Sequence, residues 1–332
     1  MPARPTYTHA QLEQYFDRVS LPPAKRIYTV SQLPDAAKLT FLHLLQHHQL
    51  VKVPWENLTQ HYSWHRVVNT KPQHLFTKIV HSPGGGRGGY CMEANHFFHT
   101  VLLSLGYDVY MAGSRIHYGD GVYGGWSHVV NLVTIAGVKY FLDGGFGPQG
   151  PTRPVPLRAG EVGEQIAPAQ MRLVWEAIPP MLDQGQRIWV YQYRVDAQSE
   201  WRAMYCFPEV EFTPTDIEGM NFSPWLNRQS FFTHKVVAVR FTTEKEVVGD
   251  GAGPGAASEE ALEGEIDGSI SVNQDVLKWR RRGEKVVELK FTNEEERVEA
   301  LERYFGITLA DEDREAIKGT ASAIGGMTTS LD

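Results

Sequence analysis

The chain has 332 residues, with 32 Lys and Arg against 39 Asp and Glu, for a formal net charge of −7. That length suggests two or three domains with ample core, and a net acidic chain lacks the basic footprint of a nucleic-acid binder. Hydrophobic residues at 42% and aromatics at 11% exclude wholesale disorder, and two cysteines build neither a disulfide framework nor a multi-thiolate zinc site.

The opening MPARPTYTHAQLEQYF carries no apolar stretch of signal-peptide length, and no apolar run is long enough to span a membrane. With so few cysteines, the expectation is a cytoplasmic protein without membrane contact. Residues 10–65 read as helices and loops. Asp35 to Leu50 has helical apolar spacing with an acid at its start. Pro54-Trp55-Glu56-Asn57-Leu58 breaks that pattern. A further helix is predicted over Pro72–Val80, followed by a glycine-dense turn at 84–89. Cys91 to Leu105 then places Ala94, Phe98, Val101, Leu102 and Leu105 on one helical face, and Gly106 supplies the stop.

From Tyr107 the period changes. Short β-rich runs at 107–112, 126–135, 138–143, 171–176, 189–195 and 231–242 are separated by Gly and Pro, which predicts an antiparallel β region. Val248 to Gly268 is rich in Gly, Ala and Glu without periodicity and reads as a mobile insert. A strand is predicted over 284–292, then a capped amphipathic helix from Asn293 to Phe305. The tail after Leu309 is polar and is expected to be poorly ordered.

Cys91 stands at the first turn of a helix. The partial positive charge of a helix N-terminus favours a thiolate there. A nucleophilic thiol needs a base, and the base needs an orienting group. Two strand-like runs flank Ala136-Gly137. If those two residues form a hairpin loop, paired positions sum to 135 + 138 = 273. Asp143 then faces Val130 and becomes a same-face diagonal neighbour of His128, at roughly 7–8 Å between backbones. A slip of one residue would separate them. Cys91, His128 and Asp143 thus make a candidate set of nucleophile, base and orienting acid. The glycine turn also matches a dinucleotide fingerprint formally, but no strand clearly precedes it and hairpins follow it. The pairs His96/His99 and His61/His65 lack the support expected of a metal site, so no metal is assigned.

These residues are familiar as a set. Arg87-Gly-Gly-Tyr-Cys-Met-Glu-Ala-Asn95 resembles the RGGxCxExN signature of the arylamine N-acetyltransferases. Trp126-Ser127-His128 and Asp143-Gly144-Gly145-Phe146-Gly147 resemble that family's His and Asp segments, and Pro54 to Leu58 resembles its P-F-E-N-L segment. Ser230 to Thr233 and the closing segment to Leu309 are similar as well. The resemblance runs from about residue 10 to 309.

It implies an α+β fold in three parts with a cysteine-protease-like site. The parts are a helical bundle over 1–106, a β-barrel over 107–208 and an α/β lid over 209–332. It implies ping-pong acyl transfer from a CoA thioester to an aromatic amine or hydrazine. Acetyl-CoA or another acyl-CoA is then a co-substrate, with no tightly bound cofactor. By position, Glu56, Arg87 and Asn95 support the site. Trp55 and Phe146 line the acceptor pocket, with Trp55 replacing the usual Phe. Gly124, Gly125, Ser127, Thr233 and His234 fall where the family meets CoA. Arg115 is a candidate partner for a carboxylated acyl group such as malonyl; a solvated arginine on the barrel rim is the competing reading. The same triad logic fits a Cys/His/Asp hydrolase or a transglutaminase-like enzyme, and a CoA-binding or thiol-sensing protein is a third reading. Cys206 receives no role.

Overall fold

The computed structural model describes residues 4–82, 85–247 and 264–325. Helices come first: α1 (His9–Arg18), α2 (Asp35–Lys52), α3 (Leu58–His61), α4 (Pro72–Val80) and α5 (Cys91–Ser104). Thr8 opens α1 with a capping box closed by Gln11. Gly106 adopts a φ of +86° just past α5, the left-handed stop that favours glycine. Tyr15, Phe16, Phe41, Leu45, Leu75, Ile79, Phe97 and Val101 close one core between these helices, and the far end of α5 is buried in it.

Trp55–Glu56, between α2 and α3, forms the short strand β1. The central strands are β2 (Asp108–His117), β3 (Tyr123–Ile135), β4 (Val138–Leu142), β5 (Val155–Pro156), β6 (Val162–Glu164), β7 (Gln170–Glu176), β8 (Ile188–Arg194) and β9 (Arg202–Phe207). They make one sheet in the order β5-β4-β3-β2-β9-β8-β7-β6, with antiparallel pairing between neighbouring strands. The expected barrel is corrected to an open half-barrel. Its edges are β5 and β6, of two and three residues, and no ladder joins them among the described residues. Closure requires continuous pairing around the ring, and such short edges do not supply it.

The β3–β4 hairpin turns through Ala136 and Gly137, with φ of +51° and +75°. Both central residues are left-handed, which matches the twist of a two-residue hairpin. Ile135 pairs with Val138, Val133 with Tyr140 and Asn131 with Leu142, so the register sums to 273 as derived from the sequence.

The C-terminal part begins with α6 (Pro214–Leu226) and continues with β10 (Val237–Thr243), β11 (Ile266–Asn273), β12 (Val276–Arg281), β13 (Glu284–Lys290), α7 (Glu294–Phe305) and α8 (Asp311–Ala316). Its sheet runs β1-β10-β11-β12-β13, so the Trp55–Glu56 strand from the N-terminal third forms one edge of the C-terminal sheet.

Three expectations are corrected here. The run 231–242 is not one strand: Phe231–Thr233 is a 3-10 turn and the strand starts at Val237. Asn57 Nδ2 donates to the Phe232 and Lys235 carbonyls, and the Val237 N–H donates to Asn57 Oδ1, which bends the chain before the ladder begins. Of the expected insert, 248–263 lies outside the described residues, but Ile266 to Gly268 belongs to β11. Gly268 signals close approach rather than a loop, because a Cβ there would stand 2.2 Å from the Arg280 carbonyl oxygen. The tail is ordered as far as 325. It forms α8, buries Ile317, and offers the Ser322 carbonyl to Arg297 and Gln274. Residues 326–332 lie outside the described residues.

Candidate active site

The site forms where the start of α5 meets β3 and the turn after β4. Cys91 is the first residue of α5. Glu93, three positions after Tyr90, accepts from the Tyr90 N–H and so fixes the helix start. The Cys91 Sγ lies 3.7 Å from the Ser127 carbonyl oxygen and close enough to the His128 imidazole to perturb it.

His128 Nε2 meets Asp143 Oδ2 at 2.7 Å. That contact uses one ring nitrogen and leaves Nδ1 as the other. Asp143 is almost fully buried, yet both of its oxygens are satisfied. The Tyr205 hydroxyl donates to Oδ2 at 2.7 Å. Asn95 Nδ2 donates to Oδ1 at 2.8 Å, and the Gly145 N–H donates to the same oxygen at 2.7 Å. Asn95 also donates to the Val129 carbonyl and accepts from the Gly144 N–H, so one amide from α5 ties β3 to the Asp143 turn.

The electrostatics follow from these contacts. Burial opposes a charge on His128, but the Asp143 carboxylate and then the Cys91 contact outweigh it and hold the imidazole up to about 10. Burial would raise Asp143, and the imidazole with the Asn95 and Tyr205 donors holds it below the usual carboxylate range. The pair is therefore set to keep a proton on the ring while the carboxylate stays charged.

Gly145 is required by space. A Cβ there would lie 2.6 Å from Cys91 Cα and 2.8 Å from Asn95 Nδ2. Phe146 follows it and packs on both His128 (5.7 Å) and Tyr205 (4.7 Å). Trp55 sits beside Cys91 and Tyr90 in the next cluster, with Phe232 edge-on at 5.5 Å.

Behind the thiol, Arg87 Nε donates to Glu56 Oε1 at 2.9 Å in a buried pair. Lys78 joins it, 3.7 Å from Glu56 and 2.7 Å from Glu93. Arg18 closes the frame from α1 by donating to the carbonyls of Ile79, Lys52 and Arg87.

The other sequence candidates lie farther out. Arg115 donates to the Gly124 carbonyl at 3.1 Å and covers the Trp126 ring at 4.0 Å. Gly125 faces open space on its Cβ side, whereas a Cβ on Gly124 would touch the Tyr118 ring. The Thr233 hydroxyl is turned back onto the Ser230 carbonyl, and His234 is exposed. Cys206 points away from the thiol into a separate apolar cluster, where burial pushes it up to about 12.

Sequence reasoning missed Tyr205, Lys78, Arg18 and the Asn57/His61 pair that holds the 232–237 turn. Tyr205, Lys78 and Arg18 act from distant stretches that no local pattern marks, whereas Asn57 and His61 stand in segments the sequence singles out for other reasons. A cavity of about 1330 Å³ also opens beside α2, between His43, His47, Arg153 and Asp267. None of Cys91, His128 or Asp143 lines it, so it lies apart from the candidate site. The described residues contain no cluster of metal-binding side chains.

Known proteins resemble this chain in sequence and in fold. The family model described as N-acetyltransferase matches residues 38–249. The N-malonyltransferase FDB2 of Fusarium pseudograminearum is 31% identical, over 94% of this chain and 93% of its own length. Arylamine N-acetyltransferase 2 of Rattus norvegicus is 26% identical, over 90% of this chain and 94% of its own. The structure of Mycobacterium marinum arylamine N-acetyltransferase in complex with CoA superposes with a TM-score of 0.69 at 23% identity, covering 92% of this chain and 97% of that one. The mixed helix and sheet fold, the match to the family model and the full-length relatives lead to one conclusion: the chain belongs to the arylamine N-acetyltransferase family of acyltransferases.

Proposed function

We propose that the protein transfers an acyl group, acetyl or malonyl, from a CoA thioester to an aromatic amine or hydrazine through a thioester on Cys91. One observation carries this reading. The thiol at the start of α5 contacts an imidazole whose far nitrogen is held by a buried, fully satisfied carboxylate.

In the first half-reaction the Cys91 sulfur attacks the thioester carbonyl carbon. A new C–S bond forms, the tetrahedral intermediate collapses, and CoA leaves as a thiol with the proton carried by His128. The orphan N–H groups of the first turn of α5 are suited to the developing oxyanion. In the second half-reaction the amine nitrogen attacks the acyl carbon. His128 takes the amine proton, and the Cys91 thiolate departs. Asp143 keeps the ring oriented throughout, while Asn95, Glu56 and Arg87 hold the two loops that carry the pair.

The malonyl option is supported by the relatives of this length, which include N-malonyltransferases at 30–31% identity. CoA as donor suits the neighbour with bound CoA. We assign Gly124, Gly125 and Ser127 to the pantetheine path. Thr233 and His234 belong at its outer end, where exposed His234 and Lys235 add positive character suited to phosphates. Trp55 and Phe146 form the acceptor side. Arg115, whose guanidinium lies on the Gly124 carbonyl and the Trp126 ring, is kept as a candidate partner for a carboxylated acyl group. The division at 106/107 and 208/209, a cytoplasmic location and a role in clearing aromatic xenobiotics complete the proposal. In support of the location, no helix among the described residues is long and apolar enough to cross a membrane.

The test is a stopped-flow mix of the protein with acetyl-CoA, and separately malonyl-CoA, without acceptor. A stoichiometric burst of CoA is expected, with the acyl mass on Cys91 and its discharge by an arylamine. Steady CoA release with no acyl mass on Cys91 would overturn the proposal.

A further inference from the structure

Eight buried side-chain polar atoms among the described residues have no hydrogen-bond partner, and two of them belong to donors that flank the nucleophile and its base. One is the indole Nε1 of Trp55. The other is the hydroxyl of Ser114. A buried polar group left unpaired is costly, so such groups call for a partner.

Both positions belong to the site by geometry. Trp55 packs in the cluster that contains Tyr90 and Cys91. A Cβ on Gly147 would lie 3.8 Å from the indole Cε3 and Cζ3, so the segment leaving Asp143 runs along the ring. Ser114 is the cross-strand partner of His128 in the β2–β3 ladder, immediately before a bulge. Directly opposed residues share a face, so the hydroxyl and the imidazole project to the same side of the sheet. Cys91 and His128 are themselves almost fully buried, so the burial of Ser114 does not set it apart from the site.

An acetyl thioester offers its single carbonyl oxygen, which the start of α5 serves. Both extra groups can donate, so they call for extra acceptor oxygens on the acyl chain. We infer that Trp55 Nε1 and the Ser114 hydroxyl are specificity donors for an acyl group that carries a second, anionic oxygen centre, a carboxyacyl group such as malonyl. This rests on the acyl-CoA reading above. A hydrogen bond to a charged acceptor is roughly twice as strong as a neutral one. A site built around such a bond discriminates against the analogue that lacks the acceptor.

The experiment measures Cys91 acylation by malonyl-CoA and by acetyl-CoA, without acceptor, for the wild type, Trp55→Phe and Ser114→Ala. Phe keeps an aromatic ring and removes only the donor and part of the area. The expected result is a fall of at least fivefold in the malonyl-to-acetyl ratio of kcat/KM for Trp55→Phe, and a fall in the same direction for Ser114→Ala. A ratio that moves by less than fivefold in Trp55→Phe overturns the inference, whatever happens to the two rates separately. If Trp55→Phe fails to fold, the same fivefold threshold applied to Ser114→Ala decides. If neither donor acylates wild-type Cys91, the acyl-transfer reading itself fails and takes this inference with it. Acylation by both donors with an unmoved ratio defeats the inference alone.

Discussion

Two carboxylates are buried on either side of Cys91, and they are held in opposite ways. Glu56 accepts from Arg87, from the Gly88 N–H at 3.2 Å and from the Leu58 N–H at 2.6 Å, with Lys78 nearby. Burial alone would raise its pKa, but the two cations beside it bring it down to about 2. Asp143 is as deeply buried, and its neighbours are an amide, a phenol, a backbone N–H and one imidazole. Permanent cations make Glu56 a strut. On the proposed mechanism, a partner that gains and loses its proton makes Asp143 part of the chemistry. Burial and satisfaction therefore do not separate framework from function here; the titrating partner does.

The sharpest way to break this contrast is Asp143→Asn. The amide fills the same volume but cannot hold the charged ring, and a triad that loses this carboxylate falls by about 10⁴-fold in rate. The expected outcome is a loss of that size in Cys91 acylation with a cooperative thermal transition retained. Acylation within tenfold of wild type would remove Asp143 from the mechanism.

Glu56→Ala should act in the reverse sense. It leaves Arg87 and Lys78 buried with one acid, Glu93, between them. Breaking a buried pair by deleting one partner costs about 3–5 kcal/mol. The expected readout is a much lower urea midpoint, with acylation lost in proportion to the unfolded fraction. A variant as stable as wild type but inactive would make Glu56 a participant rather than a strut.

The two carboxylates were unequally legible in the sequence. The Asp143 side followed from a two-residue turn, because the register of a hairpin is fixed by its loop and period-2 alternation does the rest. Tyr205, which donates to the same carboxylate, comes from β9, 62 residues later, and nothing local announces it. Lys78 reads as an ordinary surface lysine on α4, because solvation is the usual fate of that side chain and only the packing of α4 on α5 buries it. The fold shows the same limit. The helix at Cys91 and the strands flanking 136–137 carry strong periodicity, whereas β11 was hidden by Gly268, whose role depends on a neighbour 12 residues on. Open versus closed sheet geometry depends on edges too short to carry a pattern.

Stability against pH separates the two sites further. His128 has its folded pKa raised from an ordinary 6.5 to about 10. The folded state binds the extra proton, so this contribution is complete below about 6.5 and is lost as pH rises toward 10. Glu56 is lowered from 4.5 to about 2, so its contribution is complete above about 4.5 and is lost as pH falls toward 2. Asp143 is lowered too and shares the acid arm. Thermal melts should therefore decline on both sides. Asp143→Asn should flatten the alkaline arm, and Glu56→Gln should weaken only the acid arm. An alkaline arm unchanged in Asp143→Asn would mean that His128 owes its proton to another neighbour.

Tyr205→Phe asks for the smallest effect and tests the finest point. The ring stays packed against Phe146 and His128, and one of two donors to Oδ2 is removed. Oδ1 keeps Asn95 and Gly145, so the carboxylate remains charged and in place. A hydrogen bond to a charged group contributes about 1.5–3 kcal/mol, of which only the part that changes on the way to the transition state reaches the rate. Acylation should fall by roughly tenfold or less. With one competitor gone, more of the carboxylate's field falls on the imidazole, so the alkaline decline in stability should run on to higher pH than in wild type. That pairing of a slower reaction with a more tightly held proton is the signature of a tuning hydroxyl. If Tyr205→Phe instead matched Asp143→Asn in both rate and pH profile, the phenol and the carboxylate would act as one unit, and the functional boundary would lie around the whole Asp143 network rather than at its one titrating partner.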